Sequence, residues 1–126
     1  MEESIFWGKT MATVRITDLT IKTIIGTNTW ERTTKQKVVI NTVFDYDARR
    51  AARTDRIQDT VDYKTITKEI IACVRASKFF LLEKLTDCVL KIIMKNKMVK
   101  TAHVRIDKPK ALRFAKSVSV ELFAKR

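Results

Sequence analysis

The chain carries two strand-like segments, then two helix-like segments, then two more strand-like segments, and this order constrains the fold more than any other feature. From Thr13 to Ile25 the apolar residues are spaced largely in twos among β-branched neighbours, and the pattern resumes from Lys37 to Tyr46 after a polar connection. We expect these two segments to pair as an antiparallel hairpin with a bulge near Asp18.

Helical periodicity fills the middle of the chain. Apolar residues recur at helical spacing from Ile66 to Val74 and again from Leu82 to Lys97, and two further strand-like runs follow at Ala102–Ile106 and Ser117–Phe123. The order ββααββ predicts an α+β domain in which a four-stranded antiparallel sheet carries both helices on one face. Because the other sheet face then lacks cover, we expect a homo-oligomer.

The length and composition favour one domain. A chain of 126 residues with two glycines and one proline is too short for two cores and too rich in regular structure for a linker. We expect the domain to occupy residues 13–126. Residues 1–12, which have acids near the start and no long apolar core, are expected to form a flexible extension and not a secretory signal. No segment approaches the ~20 apolar residues of a membrane span.

Cysteine content and charge narrow the location and the partners. Cys73 and Cys88 lie in apolar, helix-like segments and are expected to be reduced and buried, which favours the cytoplasm. The formal net charge of +12 attracts anions, whether nucleic acid, an acidic membrane surface or a small phosphorylated substrate. Because the sequence has no signature of the common nucleic-acid modules, a non-catalytic module that binds RNA or DNA is the weaker alternative to an enzyme.

Metal and nucleotide motifs are missing from the sequence. One histidine, His103, and two cysteines outside CxxC spacing give no zinc ligand set. The glycines, Gly8 and Gly26, cannot supply the glycine-rich loop of a dinucleotide fold or a P-loop. We therefore expect no metal site, and any nucleotide-like ligand must be bound by a motif other than a glycine-rich loop.

Four local motifs occur in order along the chain. They are Gly26-Thr-Asn-Thr-Trp-Glu31 followed by Gln36, Asp59-Thr-Val-Asp-Tyr63, Leu81-Leu-Glu-Lys-Leu85 and Val104-Arg-Ile-Asp-Lys108-Pro109. Singly, each has a structural explanation, since a first-turn glutamate favours the helix dipole and a lysine before proline commonly lies at a surface turn. Together, covering nearly all of residues 13–124, they resemble the dihydroneopterin aldolase and dihydroneopterin triphosphate 2'-epimerase family.

The resemblance implies roles for five residues. Glu83 would accept the donor edge of a pterin ring bidentately, helped by the neighbouring backbone at Leu82. Lys108 would be the general acid and base, and Tyr63 a proton-shuttling phenol contributed across a subunit boundary. Glu31 would lie near the hydroxyl groups of the substrate's side chain.

The resemblance also implies retro-aldol chemistry on 7,8-dihydroneopterin or its triphosphate. The electrons of the broken C1'–C2' bond would pass into the C6=N5 imine of the dihydropterin ring, so no cofactor is expected. A lysine amine is ordinarily protonated at neutral pH. Lys108 would therefore need help from burial or from cations such as Arg105 or Lys110 to act as a base.

The two branches of the family are both represented. Asn41 and the segment Ile106–Ser119 resemble the epimerase branch, whereas Trp30 and Gln36 resemble the aldolase branch, and the epimerase is slightly favoured. The implied fold is the tunnelling fold (T-fold), in which the four-stranded sheets of several subunits join into a barrel with the helices outside. A tetramer or octamer with active sites between subunits would follow.

Overall fold

The structure, a computed structural model, describes residues 10–126, which form five β-strands, three α-helices and two short 3-10 turns. The strands are β1 (Met11–Ile25), β2 (Gln36–Asp47), β3 (Lys78–Phe79), β4 (Val99–Pro109) and β5 (Ser117–Lys125). The helices are α1 (Arg49–Thr54), α2 (Tyr63–Ala76) and α3 (Leu82–Met94), and the 3-10 turns are Thr29–Arg32 and Ile57–Asp59.

The expected hairpin is confirmed, including its bulge. β1 and β2 pair antiparallel from Met11 opposite Asp47 to Thr23 opposite Gln36, and the register shifts between Ile16 and Leu19. At the shift, Asp18 has φ 56°, and its backbone N–H donates to Asn41 Oδ1 at 2.8 Å. The Asn41 amide in turn donates to the Asp18 carboxylate at 3.1 Å. Asn41 therefore replaces the ladder hydrogen bonds that the bulge interrupts.

The sheet is not the four-stranded antiparallel sheet that the sequence predicted. β1, β2, β4 and β5 are antiparallel neighbours, but β3 pairs in parallel with the end of β1, which gives a mixed sheet of order β3-β1-β2-β4-β5. With two residues, β3 is too short to carry a period-two pattern. Helix α1 was also missed, because its six residues bury no side chain and have no side-chain cap.

Helices α2 and α3 lie on one face of the sheet and form the core with it. Asp62 caps α2 by accepting from the backbone N–H groups of Lys64 and Thr65. Each helix buries one apolar stripe against alternate residues of the strands. The buried cluster includes Ile66, Ile70 and Val74 of α2, Leu85, Val89 and Ile93 of α3, and Ile40, Phe44, Val104 and Ile106 of the sheet.

The ends of the domain differ slightly from expectation. β1 begins at Met11, so residues 11 and 12 belong to the sheet and not to an extension. Thr10 precedes the strand, and its carbonyl accepts the backbone N–H of Ala48 at 3.0 Å. The rest of the predicted flexible extension, residues 1–9, lies outside the described residues. Within the described part of the chain, no helix combines the length and the apolar character needed to cross a membrane.

The two cysteines face each other between α2 and α3. Their Sγ atoms are 2.7 Å apart, and both residues are free and half-buried, not fully buried as expected. They lie at the border of the apolar stripes, where helical spacing alone does not determine the depth of burial. Burial, together with the Cys88 thiol, raises the pKa of Cys73 to about 11.

Candidate active site

Glu31 is fixed at the base of a groove by the loop that joins β1 to β2. Its Oε1 accepts the backbone N–H of Asn28 at 3.1 Å, which closes a capping box around the first 3-10 turn. The Gln36 amide donates to Glu31 Oε2 at 2.9 Å and to the carbonyl of Ile25 at 2.8 Å. The carboxylate is therefore held from the turn and from the first residue of β2.

Gly26 makes room for this carboxylate. It has φ +126°, a conformation that side chains disfavour, and a Cβ at this position would collide with the Glu31 carboxyl group. The Ile-Gly start of the loop motif therefore has a steric reason, since any larger residue displaces Glu31.

Lys108 reaches the same carboxylate from β4. Its Nζ donates to Glu31 Oε2, and the two side chains are 12% and 6% exposed. Burial opposes ionisation of Glu31, but the hydrogen bonds from Lys108, Gln36 and the Asn28 backbone outweigh it and lower the pKa of Glu31 to about 2. At neutral pH Glu31 is therefore a carboxylate that accepts a hydrogen bond from the Lys108 amine.

Arg105, which was expected to adjoin Lys108 as a neighbouring cation, lies elsewhere. Positions 105 and 108 point to opposite sheet faces because side chains alternate along a strand. Arg105 Nε instead donates to Asp107 Oδ1 at 2.8 Å on the helix-free face. Lys110 is exposed at the start of the β4–β5 loop. The local environment of Lys108 thus consists of its burial and its contact with Glu31.

The Glu31–Lys108 pair opens into a groove of about 390 Å³. Three elements meet there: the β1–β2 loop, the start of α3, and the hairpin of β4 and β5. The lining residues are Ile25, Gly26, Thr27, Glu31, Phe80, Leu81, Leu82, Glu83, Lys108, Ala111, Leu112, Val118 and Val120. Apolar side chains therefore form most of the walls, with two carboxyl groups and one lysine amine among them.

Glu83 and Leu82 occupy the first turn of α3 at the groove. Glu83 is exposed, and among residues 10–126 its carboxylate has no hydrogen-bond or ion-pair partner. It lies in the first turn of α3, at the positive end of the helix dipole. The first-turn backbone N–H groups of Leu82 and Glu83 have no acceptor inside the helix. This corner therefore combines a free acceptor with free donors.

Tyr63 is the one predicted site residue that lies elsewhere. It begins α2, is 54% exposed and does not line the groove. Asp59 of the same motif is buried and structural, since it accepts from Thr54 Oγ1 at 2.6 Å and pairs with Arg50 at 3.0 Å. The structure thus brings together Glu31, Leu82, Glu83 and Lys108 and leaves Tyr63 outside.

Arg32 supports the groove and was missed in the sequence. Its guanidinium donates to the carbonyls of Gly26 at 2.9 Å, Phe79 at 3.1 Å and Lys78 at 2.6 Å, and lies 3.9 Å from the centre of the Phe80 ring. It therefore ties the β1–β2 loop to β3. No sequence pattern signals this role, because the acceptors are backbone carbonyls 46 and 47 residues away or within the loop.

The residues that the structure describes contain no group of three or more His, Cys, Asp or Glu side chains that could hold a metal ion. His103 lies on the helix-free sheet face and its Nε2 is 2.7 Å from Glu121 Oε1. The polar groups of the groove are thus Lys108 with Glu31, and the separate carboxylate of Glu83. A buried lysine–carboxylate pair in a groove with apolar walls makes this groove the candidate active site.

Comparison with known proteins places this chain in a family. A family model described as FolB: Dihydroneopterin aldolase matches residues 14–123. Dihydroneopterin triphosphate 2'-epimerase of Pseudomonas aeruginosa is 43% identical over 116 residues, which cover 92% of this chain and 94% of that protein. Dihydroneopterin aldolase of Escherichia coli is 29% identical over 110 residues, covering 87% of this chain and 90% of that one.

A solved structure agrees with these relatives. The crystal structure of Escherichia coli dihydroneopterin aldolase in complex with neopterin has a TM-score of 0.85 and 27% identity, covering 90% of this chain and 98% of that one. The chain belongs to the dihydroneopterin aldolase family and is an enzyme of pterin metabolism.

Proposed function

We propose that the chain catalyses retro-aldol chemistry on 7,8-dihydroneopterin triphosphate, with 2'-epimerisation as its main reaction. One observation carries the proposal: the Glu31–Lys108 pair and the free carboxylate of Glu83 lie in a single groove. A site with a ring-binding carboxylate at one position and a proton-transfer pair at another suits a pterin with a polyol side chain. Membership of this family favours the enzyme over a basic nucleic-acid module.

Binding begins at the start of α3. The amino-pyrimidine edge of a pterin presents neighbouring N–H donors, which the Glu83 carboxylate accepts bidentately. The unpaired backbone N–H groups at Leu82 and Glu83 offer donors to the ring's acceptors. The apolar walls from Phe80, Leu112 and Val120 cover the flat ring faces.

The chemical step follows from the position of Lys108. Lys108 removes the proton of the 2'-hydroxyl group, the C1'–C2' bond breaks, and its electron pair passes into the C6=N5 imine of the ring, where N5 takes up a proton. The products of this step are an aldehyde and an enamine. Re-addition of the enamine to the other face of the aldehyde gives the 2'-epimer, whereas protonation at C1' gives 6-hydroxymethyl-7,8-dihydropterin; in both cases N5 loses its proton and the aldehyde oxygen of the epimer regains one. With an unphosphorylated substrate the released aldehyde is glycolaldehyde.

Glu31 positions the amine and accepts from it throughout the step. Its lowered pKa keeps it ionised at neutral pH, so it does not compete for the proton that Lys108 carries. It also lies where a side-chain hydroxyl group of the substrate would approach Lys108. The electron sink belongs to the substrate, so we propose that neither metal nor cofactor takes part.

Tyr63 and the oligomer complete the proposed site. We infer that Tyr63 reaches the groove of a neighbouring subunit, because it is exposed and lies outside its own groove. The helix-free sheet face and the sheet edge at β5 suit a T-fold barrel, in which four sheets form a ring and two rings form an octamer. The proposed location is the cytoplasm.

The experiment compares two substrates. The purified protein is incubated with dihydroneopterin and with its triphosphate, and the products are separated by chromatography. The proposal expects the triphosphate 2'-epimer as the main product, in line with the identities of 43% and 29% to the two kinds of relative. Faster glycolaldehyde release from dihydroneopterin would make it an aldolase, and neither product would end the proposal.

A further inference from the structure

The loop of residues 110–116 between β4 and β5 forms one rim of the groove and carries three cations in its sequence, Lys110, Arg113 and Lys116. Ala111 and Leu112 are part of the groove wall. Lys110 and Arg113 flank them in the sequence, and the loop contains no acidic residue. A polyanionic part of a ligand in this groove would therefore meet uncompensated positive charge at this rim.

The backbone of the loop is well defined. Lys110 N–H donates to the carbonyl of Lys116 at 3.1 Å, and Ala115 N–H donates to that of Leu112 at 3.3 Å. Lys110 and Phe114 have φ 60° and 69°, a left-handed conformation that non-glycine residues rarely adopt. The loop is therefore a specific turn with a fixed backbone path beside the groove.

The side-chain N–H donors of Lys110 and Arg113 are available to a ligand. Among residues 10–126 neither forms a side-chain hydrogen bond or an ion pair, and the Arg113 guanidinium lies 5.4 Å from the centre of the Phe114 ring. Lys116 differs, because it lines a separate cavity with Asp107 and Arg105 on the helix-free face. Lys110 and Arg113 thus flank the two loop residues that line the groove, whereas Lys116 lines the cavity on the other face.

We propose that Lys110 and Arg113 form the subsite for the substrate's phosphate chain and so determine the preference for a phosphorylated pterin. The inference rests on the proposed function. The phosphates are attached one carbon beyond the bond on which Lys108 acts, and the two cations follow Lys108 by two and five residues. An arginine binds phosphate oxygens in a fork and a lysine binds them as a point charge.

The test uses two double variants of equal charge. Lys110→Ala/Arg113→Ala removes the rim cations. Arg53→Ala/Lys97→Ala removes two exposed cations at the opposite end of the sheet, beyond the end of β2 and before the start of β4. For each protein, kcat/KM is measured with dihydroneopterin triphosphate and with dihydroneopterin, and binding of inorganic tripolyphosphate is measured by calorimetry.

The loop variant should lower the ratio of the two kcat/KM values about 10- to 100-fold, the usual size of one or two lost hydrogen bonds between charged groups. The control variant should change it less than about twofold, since distant surface charges are screened. Arg113→Gln alone should give an intermediate loss. Equal losses on both substrates, or equal effects in both double variants, would overturn the subsite.

The two proposals fail in different ways. If the wild type converts neither pterin but binds tripolyphosphate, and only the loop variant loses that binding, then the retro-aldol function is wrong and the anion subsite stands. If the wild type converts both pterins and the loop variant keeps the wild-type ratio and tripolyphosphate binding, then the function stands and the subsite is wrong.

Discussion

Glu31 and Lys108, 77 residues apart in the chain, form a buried ion pair at the base of the groove. One partner comes from a 3-10 turn before β2 and the other from the last part of β4. Removing one member of such a pair leaves the other uncompensated, so the pair couples the conformation of the β1–β2 loop to the position of Lys108.

Gly26→Ala should displace Glu31. The new Cβ would collide with the carboxylate, and alanine disfavours φ +126°. We expect a loss of about 1–3 kcal/mol in the free energy of unfolding together with a marked fall in turnover. Chemical denaturation and a turnover assay measure both. Thr29→Ala, an exposed change in the same loop, is the control and should alter stability by less than about 0.5 kcal/mol. Unchanged stability and turnover in Gly26→Ala would contradict the steric account.

Glu31 should stabilise the fold in a pH-dependent way. Its pKa is about 2 in the folded protein against an ordinary 4.5, so its stabilisation is present above pH 4.5 and is lost as the pH falls from 4.5 towards 2. The difference in unfolding free energy between wild type and Glu31→Gln should reach at most about 3 kcal/mol at pH 6 and shrink across that window.

The matched control for Glu31 is Glu69→Gln. Glu69 pairs with Lys95 on the exposed surface, where ion pairs contribute about 0–1 kcal/mol. Denaturation series at several pH values compare the two variants. If the difference in unfolding free energy between the wild type and Glu31→Gln stays constant from pH 6 to pH 2, Glu31 is not the group responsible for the pH dependence of stability.

Glu83→Ala should weaken pterin binding first. Loss of a charged acceptor for the ring's N–H donors should raise the Kd about 10- to 100-fold. Asp87→Ala removes an acid one turn further along α3, where it pairs with Lys91, and should leave the Kd within about twofold. Fluorescence titration with a pterin measures both. Equal affinity of Glu83→Ala and wild type for the pterin would show that Glu83 does not bind the ring.

Tyr63→Phe and Lys108→Met should complement each other if the active site lies between subunits. Each variant alone should lose most of its activity, whereas random mixed oligomers would contain about a quarter of sites with an intact Tyr63 and an intact Lys108. Co-expression with two tags, followed by purification on both, gives the mixed species. Recovery of activity supports the shared site, and mixed oligomers as inactive as their parents would place Tyr63 outside it.

Much of the fold was predictable because its signals are periodic. The β1–β2 hairpin, both long helices and the last two strands follow from spacing in twos or at helical intervals, and Asp18 marked the bulge. β3 and α1 have two and six residues, too few for a period to appear, and their formation depends on tertiary contacts. The formation of the fifth strand therefore depends on tertiary contacts that the sequence pattern does not reveal.

The site was predictable only where motifs carried it. Glu31, Glu83 and Lys108 meet in one groove as the motifs implied, although 77 residues separate the first from the last. Arg32 was missed because it binds backbone carbonyls, which leave no trace in the sequence. Arg105 was wrongly expected to adjoin Lys108. The two residues are close in the sequence, but side chains alternate along the strand and place them on opposite faces of the sheet.

The rate with Lys108→Met tests the central claim most directly. Lys100→Met, an exposed change on the same strand, serves as the control. Single-turnover rates with dihydroneopterin triphosphate are measured for both variants beside pterin affinity. The account predicts a rate about 10²- to 10⁴-fold lower for Lys108→Met with pterin affinity nearly unchanged, because Lys108 transfers the proton and Glu83 holds the ring. A folded Lys108→Met that turns over at close to the wild-type rate would contradict it.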